Sequence, residues 1–133
     1  MIAYLDANAI IYLVEKVSAW GPKVASRIRR LRAAGDDVAV SDISRLECLV
    51  GPFTTGNAAV MADFGAFFGD PAIRLFPVTA LICERTARIR ATYRFKALDA
   101  LHLATAVENG CGLFLTNDLA LGRFTDVPVE ILI

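Results

Sequence analysis

Short apolar runs alternate with longer segments in which apolar residues recur at helical spacing. The short runs predict strands at residues 2–5, 37–40, 73–78, 113–116 and 129–133. The longer segments predict helices at 8–15, 22–34, 41–51, 57–69, 79–93 and 98–109, with a helical turn at 118–123. Strands separated by helices of this length indicate right-handed crossovers in a parallel sheet. The pattern therefore predicts an α/β fold of three layers, α/β/α, around a central, mainly parallel sheet of about five strands.

Glycine and proline mark the ends of the predicted helices. The third helix, which begins near Ser41 and Asp42, is expected to stop at Gly51–Pro52 because both residues disfavour helix continuation. No repeat, low-complexity tract or linker interrupts the chain. Its 133 residues predict one domain, residues 1–133, that is large enough to bury a hydrophobic core.

Composition narrows the class of protein. Apolar residues make up 56% of the chain and charged residues 21%, which is typical of a globular protein. The formal net charge is zero, so the molecule as a whole is not a polycation. Ten of the 14 lysines and arginines nevertheless fall in two acid-free stretches, 23–32 and 85–96. These stretches predict either local basic patches or, more simply, two solvated helix faces.

The cysteines and the N-terminal segment indicate the compartment. Cys48, Cys83 and Cys111 are scattered and form no C-x-x-C pair, so core thiols of a reducing compartment are expected. The apolar N-terminal stretch has no basic leader and is interrupted by Asp6 and Asn8. We therefore expect a cytoplasmic protein that does not enter a membrane.

Four acidic residues lie at or near predicted strand ends. Asp6 follows the first strand, Asp118 follows the fourth, Glu47 lies in the helix after the second, and Asp99 begins the helix before the fourth. Ligands of open parallel sheets bind outside the carboxyl ends of the strands, so Asp6 and Asp118 are expected at that edge, with Glu47 within reach. The sequence leaves open whether the first turn of the Asp99 helix points to the same edge.

Carboxylates that converge repel one another unless a cation neutralises them. All-oxygen ligands select hard divalent ions, so Mg²⁺ or Mn²⁺ is the expected metal. Such an ion would explain why Asp99 interrupts the apolar run KALDALHLATA. Each acid also has a local alternative: an N-cap for Asp6 and Asp118, a capping box with Ser44 for Glu47, and a helix-dipole contact for Asp99.

His102 is the only histidine in the chain and follows Asp99 by three residues. This spacing makes the two side chains neighbours on a helix and permits a metal-ligand pair. Because no second histidine is present, a semi-buried structural histidine with a hydrogen-bond partner is the preferred interpretation. Asn8 and Thr116 each lie two residues from a candidate acid, where they would orient an acid or a water, or serve turns and caps.

The segments YLDANAII, SRLECLVGP, LDALHLATA and FLTNDLAL, in this order, resemble the PIN-domain ribonucleases. The resemblance is closest to the small VapC-type toxins of type II toxin–antitoxin pairs and spans essentially the whole chain. It implies a PIN-like fold in which the start of the Asp99 helix lies in the cleft. It also implies an Mg²⁺ or Mn²⁺ site formed by Asp6, Asp99 and Asp118, with Glu47 as a less certain ligand.

The activity implied by this resemblance is that of an endoribonuclease, whose catalytic residues are the same four acids. Such a toxin hydrolyses RNA phosphodiester bonds and inhibits translation or growth, and its partners are RNA, a cognate VapB-type antitoxin and a second copy in a homodimer. The arginine clusters would hold the RNA backbone. The chain departs from the family pattern where Ala120 and Leu121 supply no further acid for a second metal, and where Ala7 replaces a common threonine.

Phenylalanines are concentrated in the segment 53–69, which carries few charges. Phe53, Phe64, Phe67 and Phe68 predict either a docking face, for an antitoxin helix or a second copy, or ordinary core packing. The alternative to an enzyme is a non-catalytic PIN-fold module that binds RNA or protein. Loss of the acids would be the signature of such a module, and this chain retains all four.

Overall fold

The computed structural model describes all 133 residues. The strands are β1 (Ile2–Leu5), β2 (Asp37–Ser41), β3 (Ile73–Phe76), β4 (Leu113–Thr116) and β5 (Val129–Ile131). The helices are α1 (Ala7–Val14), α2 (Trp20–Ala33), α3 (Asp42–Thr55), α4 (Ala58–Phe68), α5 (Ala80–Tyr93) and α6 (Ala97–Glu108), with a 3₁₀ helix at Leu119–Arg123. None of these helices has the length and apolar character needed to cross a membrane.

All five strands pair in parallel, in the order β3-β2-β1-β4-β5. The chain builds outward from β1 in one direction through β2 and β3, and then returns to the other side of β1 with β4 and β5. The strand order therefore reverses between β1 and β4, and the carboxyl ends of these two strands border a topological switch point. The predicted α/β/α fold is confirmed, and its sheet is entirely parallel.

Alternating side chains of the strands fill two cores, one on each face of the sheet. On one face, Tyr4 and Phe114 pack in the cluster that contains Leu103 of α6. On the other face, Leu5 and Leu115 pack in a cluster to which α1, α2, α3 and α4 all contribute. Because both faces are covered, the central strands β1 and β4 are nearly continuous apolar runs, as buried parallel strands usually are.

Helix α3 does not stop at Gly51–Pro52, and this part of the sequence prediction is wrong. The helix continues to Thr55 and ends at Gly56, whose φ of +68° is the left-handed conformation typical of a helix C-terminus. Its buried face comprises Ser44, Cys48 and Pro52, spaced four residues apart. Burial of this stripe outweighs the local tendency of proline to end a helix.

The phenylalanine-rich segment divides between core and surface. Phe64 and Phe68 are core residues, Phe67 packs partly against them, and Phe53 is 64% exposed. The cysteines also divide, because Cys48 and Cys111 are buried whereas Cys83 is exposed. The expectation of a core thiol is therefore wrong for Cys83.

Candidate active site

Asp6 lies at the end of β1, beside the switch point. Its backbone N–H donates to the Leu115 carbonyl of β4 at 2.9 Å, which extends the ladder between the two strands. Its Oδ1 accepts from the Ala7 N–H at 2.8 Å as the N-cap of α1, and its Oδ2 accepts from Thr116 Oγ1 at 2.7 Å. The residue is only 5% exposed, so the carboxylate is held in one orientation.

Thr116 links Asp6 to Asp118. Its buried hydroxyl donates to Asp6 and accepts from the Asp118 backbone N–H at 3.1 Å. The Asp118 side chain in turn accepts from the Ala120 N–H at 2.9 Å and caps the 3₁₀ helix. The capping alternatives for Asp6 and Asp118 are therefore correct, and both acids also lie at the carboxyl edge.

Asp99 lies in the first turn of α6, and the structure answers the question that the sequence left open. A crossover helix runs antiparallel to the strand that follows it, and α6 is followed by β4. The first turn of α6 therefore lies at the carboxyl edge of the sheet. Burial raises the pKa of the Asp99 carboxyl above its usual range, and the negative charges of the other three candidate acids raise it further. The four acids therefore share one electrostatic environment.

Glu47 is not part of a capping box with Ser44. The N-cap of α3 is Ser41, whose Oγ accepts from the Ile43 N–H at 3.2 Å. The carboxylate of Glu47 instead forms a hydrogen bond through Oε1 with His102 Nε2. This contact joins α3 to α6, 55 residues further along the chain.

His102 has no accessible surface and uses both ring nitrogens in hydrogen bonds. The second partner is Tyr4, whose hydroxyl lies 2.6 Å from Nδ1. Sequence reasoning missed Tyr4, although a tyrosine inside a strand buried on both faces needs a partner for its hydroxyl. Asn8 forms no hydrogen bond with any of the four acids, and its exposed amide donates instead to Asn117 Oδ1 at 3.2 Å.

No lysine or arginine side chain balances the charges of the four acids. Arginine or the N-terminal amine pairs with five other acids, namely Asp36, Asp37, Asp42, Glu108 and Glu130, and with none of the four. No three histidine, cysteine or acidic side chains are gathered closely enough to form a ready-made metal cage. An open set of carboxylate oxygens with uncompensated charge fits a hydrated ion such as Mg²⁺, which usually keeps several waters and binds through few carboxylates.

A cavity at the end of β5 is separate from this site. It measures about 650 Å³ and is lined by α2 and the end of β5, including Lys23, Arg27 and Arg30, but by none of the four acids. Arg27 in this cavity is neutralised by Glu130, to which it donates two hydrogen bonds of 2.7 and 2.9 Å. Of the four acids, Glu47, Asp99 and Asp118 are partly exposed and Asp6 is buried.

Comparisons with known proteins match this architecture. The PIN-domain family profile matches residues 3–127, whereas no curated protein sequence matches the chain. Among solved structures, VapBC2 from Rickettsia felis, bound to a DNA fragment from its promoter, is similar with a TM-score of 0.82 and 17% identity over 98% of both chains. FitAcB from Neisseria gonorrhoeae is similar with a TM-score of 0.74 and 22% identity, over 97% of this chain and 96% of that one.

A third similar structure is VapC20 from Mycobacterium tuberculosis, a sarcin–ricin loop cleaving toxin. Its TM-score is 0.70 and its identity 19%, over 95% of this chain and 98% of that one. At these identities the likeness concerns the fold, whereas the family profile covers nearly the whole sequence. The chain therefore belongs to the PIN-domain family, as its motifs predict, and it shares its fold with VapC20 and with chains of VapBC complexes.

Proposed function

We propose that this protein is an Mg²⁺- or Mn²⁺-dependent endoribonuclease that acts as the toxin of a toxin–antitoxin pair and inhibits translation or growth. The proposal is carried by the position of Asp6, Asp99 and Asp118 at the carboxyl edge beside the β1/β4 switch point, with Glu47 on α3 joined to the Asp99 helix through His102. None of the four acids has a lysine or arginine partner. A protein that used these acids only for structure would gain stability from a neutralising side chain. The lack of one favours a site that receives its cation from solution.

Asp6, Asp99 and Asp118 would hold the ion, and Glu47 would either join them or position the attacking water. Thr116 supports this role because its hydroxyl fixes the Asp6 carboxylate. The ion would supply Lewis-acid stabilisation of the scissile phosphate and lower the pKa of a water. Asp6 and Asp118 are oriented by backbone N–H groups, so little reorganisation is needed when the site is filled.

Glu47, Asp99 and Asp118 are partly exposed, which would leave them accessible to an extended nucleic acid. Cations beside the edge would hold the RNA backbone. Helix α2 leads into β2 and therefore begins at the carboxyl edge, and Lys23 in its first turn lies on that side of the molecule. RNA is also the substrate class indicated by VapC20, which cleaves the sarcin–ricin loop.

The test is cleavage of a structured RNA mixture by the purified chain with Mg²⁺, with Mn²⁺ and with EDTA. Asp99→Asn removes one candidate ligand, and Asp63→Asn is the matched control because Asp63 is an exposed acid on α4. We expect metal-dependent cleavage by the wild type and by Asp63→Asn, and none by Asp99→Asn. A calorimetric titration with Mn²⁺ accompanies the assay, because a selective toxin can ignore the wrong RNA.

The calorimetric result separates the enzyme from the alternative, a PIN-fold module that binds without catalysis. Mn²⁺ binding that disappears in Asp99→Asn supports the nuclease even when the chosen RNA is not cut. A wild type that binds neither Mn²⁺ nor Mg²⁺ contradicts the proposal and favours the binding module.

The proposed partner is a VapB-type antitoxin that docks on α3. Leu46, Val50 and Phe53 are each more than half exposed and lie four and three residues apart, on one face of the helix that carries Glu47. An amphipathic antitoxin helix on this stripe would lie beside the acids, and VapBC complexes among the similar structures support such a partner.

Phe53→Ser should keep toxicity in cells but lose neutralisation by the antitoxin. Conversion of a dimer to a monomer by Phe53→Ser would assign the stripe to a homodimer instead.

A further inference from the structure

A buried hydrogen-bonded chain leads from the sheet to the candidate active site. The Tyr4 hydroxyl, in the middle of β1, lies 2.6 Å from His102 Nδ1, and His102 Nε2 contacts Glu47 Oε1. Tyr4 and His102 both have no accessible surface. The three residues come from β1, α6 and α3, so the contact joins the sheet to a helix from each layer.

The partners determine where the protons lie in this chain. An ionised carboxylate can only accept hydrogen bonds, so a bond to ionised Glu47 requires His102 Nε2 to carry the proton and donate it. Burial raises the pKa of Tyr4, so its hydroxyl keeps its proton and can donate to Nδ1. One neutral tautomer, with the proton on Nε2, therefore satisfies both bonds.

Glu47 needs such support more than Asp6 and Asp118 do. The two aspartates have short side chains and accept hydrogen bonds from neighbouring backbone N–H groups. Glu47 has a longer side chain with more rotamers, and the bond from His102 is the only hydrogen bond that holds its carboxylate. Oxygen Oε2 of Glu47 is left free by this arrangement.

We propose that His102 is a positioning residue, which holds Oε1 of Glu47 through Nε2–H and leaves Oε2 available to the site, while Tyr4 selects the tautomer that can do so. The part of this inference that concerns metal rests on the proposed function. The same geometry excludes His102 as a metal ligand, because both ring nitrogens form hydrogen bonds and the ring is buried. A histidine that orients a ligand in this way resembles the outer-shell partners that tune metal sites.

The first test is the tautomer of His102. Because the chain has one histidine, long-range ¹H–¹⁵N correlation spectra of ¹⁵N-labelled protein show that residue alone. At alkaline pH, where a free imidazole is neutral, we expect a single tautomer protonated on Nε2 in the wild type and a mixture of tautomers in Tyr4→Phe. A wild type protonated on Nδ1, or one that averages freely between tautomers, overturns the inference.

The second test is Mn²⁺ affinity by calorimetry. Tyr4→Phe removes one hydroxyl but keeps the ring that stacks on Phe114, and we expect it to weaken binding about 10-fold. The control is Tyr93→Phe, which removes a hydroxyl bonded to Thr125 at 3.1 Å on the surface and should leave the affinity unchanged. Thermal unfolding of both variants confirms that the titrations are made on folded protein.

The outcomes separate this inference from the proposed function. Equal Mn²⁺ affinity in the wild type and in Tyr4→Phe contradicts the positioning role while the nuclease stands. A wild type that binds no Mn²⁺ overturns the metal chemistry and the metal part of this inference together. The ¹⁵N spectrum then tests the remaining part of the inference, that His102 carries its proton on Nε2, as the contact with Glu47 requires.

Discussion

Replacing Thr116 by valine should destabilise the protein through the loss of one hydroxyl. Valine has nearly the same shape, so the change leaves no cavity, but it removes the donor that lies 2.7 Å from Asp6 Oδ2. It also removes the acceptor for the Asp118 N–H at 3.1 Å. Because Asp6 is almost fully buried, water cannot replace the lost donor at full strength.

The magnitude follows from the charge of the acceptor. A hydrogen bond to a charged group contributes roughly 1.5–3 kcal/mol to stability, whereas one between neutral groups contributes roughly 0.5–1.5 kcal/mol. Thr105→Val is the matched control, since Thr105 is equally buried and its hydroxyl donates to the neutral Leu101 carbonyl at 2.7 Å. The gain from burying a methyl group is common to both variants, so we expect Thr116→Val to lose about 1–2 kcal/mol more than Thr105→Val.

The assay is equilibrium unfolding in urea at neutral pH, in buffer without divalent ions, for the wild type and both variants. Equal slopes of the unfolding free energy against urea are required, so that differences in midpoint report stability alone. A loss in Thr116→Val no larger than that in Thr105→Val would refute the reasoning. It would mean that the Thr116 hydroxyl does not hold an ionised Asp6 carboxylate.

Three further predictions concern the charge, the cap and the core. Asp99→Asn should be more stable than the wild type at neutral pH without divalent ions. Because folding raises the pKa of Asp99, the stability of the wild type falls as the pH rises through that pKa. The difference in urea midpoint between the variant and the wild type should therefore narrow at acidic pH. Ser41→Ala should lose about 1 kcal/mol in the same assay, since it removes the N-cap of α3. Phe64→Ala, in the core, should lose roughly 3–5 kcal/mol of unfolding free energy, whereas Phe53→Ala, on the surface, should lose less than about 0.5 kcal/mol. Similar losses in the two variants would contradict the assigned burial.

Hydrophobic patterning located the central strands β1, β2 and β4 because they are buried on both faces and form nearly continuous apolar runs. The edge strands β3 and β5 are only partly buried and carry Arg74 and Glu130, so they were located by the short apolar runs around these charges. The fourth was predicted at 113–116 and is Leu113–Thr116. The end of α3, at Thr55, could not be predicted because it depends on burial rather than on local residue preferences. Gly51 and Pro52 are local stop signals, but Pro52 continues a buried stripe that only the tertiary structure reveals.

The candidate site was predictable where it depends on strand ends and unpredictable where it depends on distant contacts. Asp6 and Asp118 follow β1 and β4, so a parallel sheet alone brings them to one edge. The bond between Glu47 and His102 spans 55 residues, and that between Tyr4 and His102 spans 98. No local pattern encodes such pairs, so the sequence indicated a structural histidine without indicating what it supports.

The double role of Asp6 and Asp118, each both a cap and a candidate ligand, constrains how this chain can change during evolution. A substitution that removes either carboxylate also leaves the start of a helix without its cap, unless the new side chain can accept the same hydrogen bond. Asparagine and serine can do so, whereas alanine and larger apolar residues cannot. If the proposed catalysis is lost while the fold is kept, the descendants should therefore carry asparagine or serine at these two positions, and the loss would be visible in sequence as a conservative exchange.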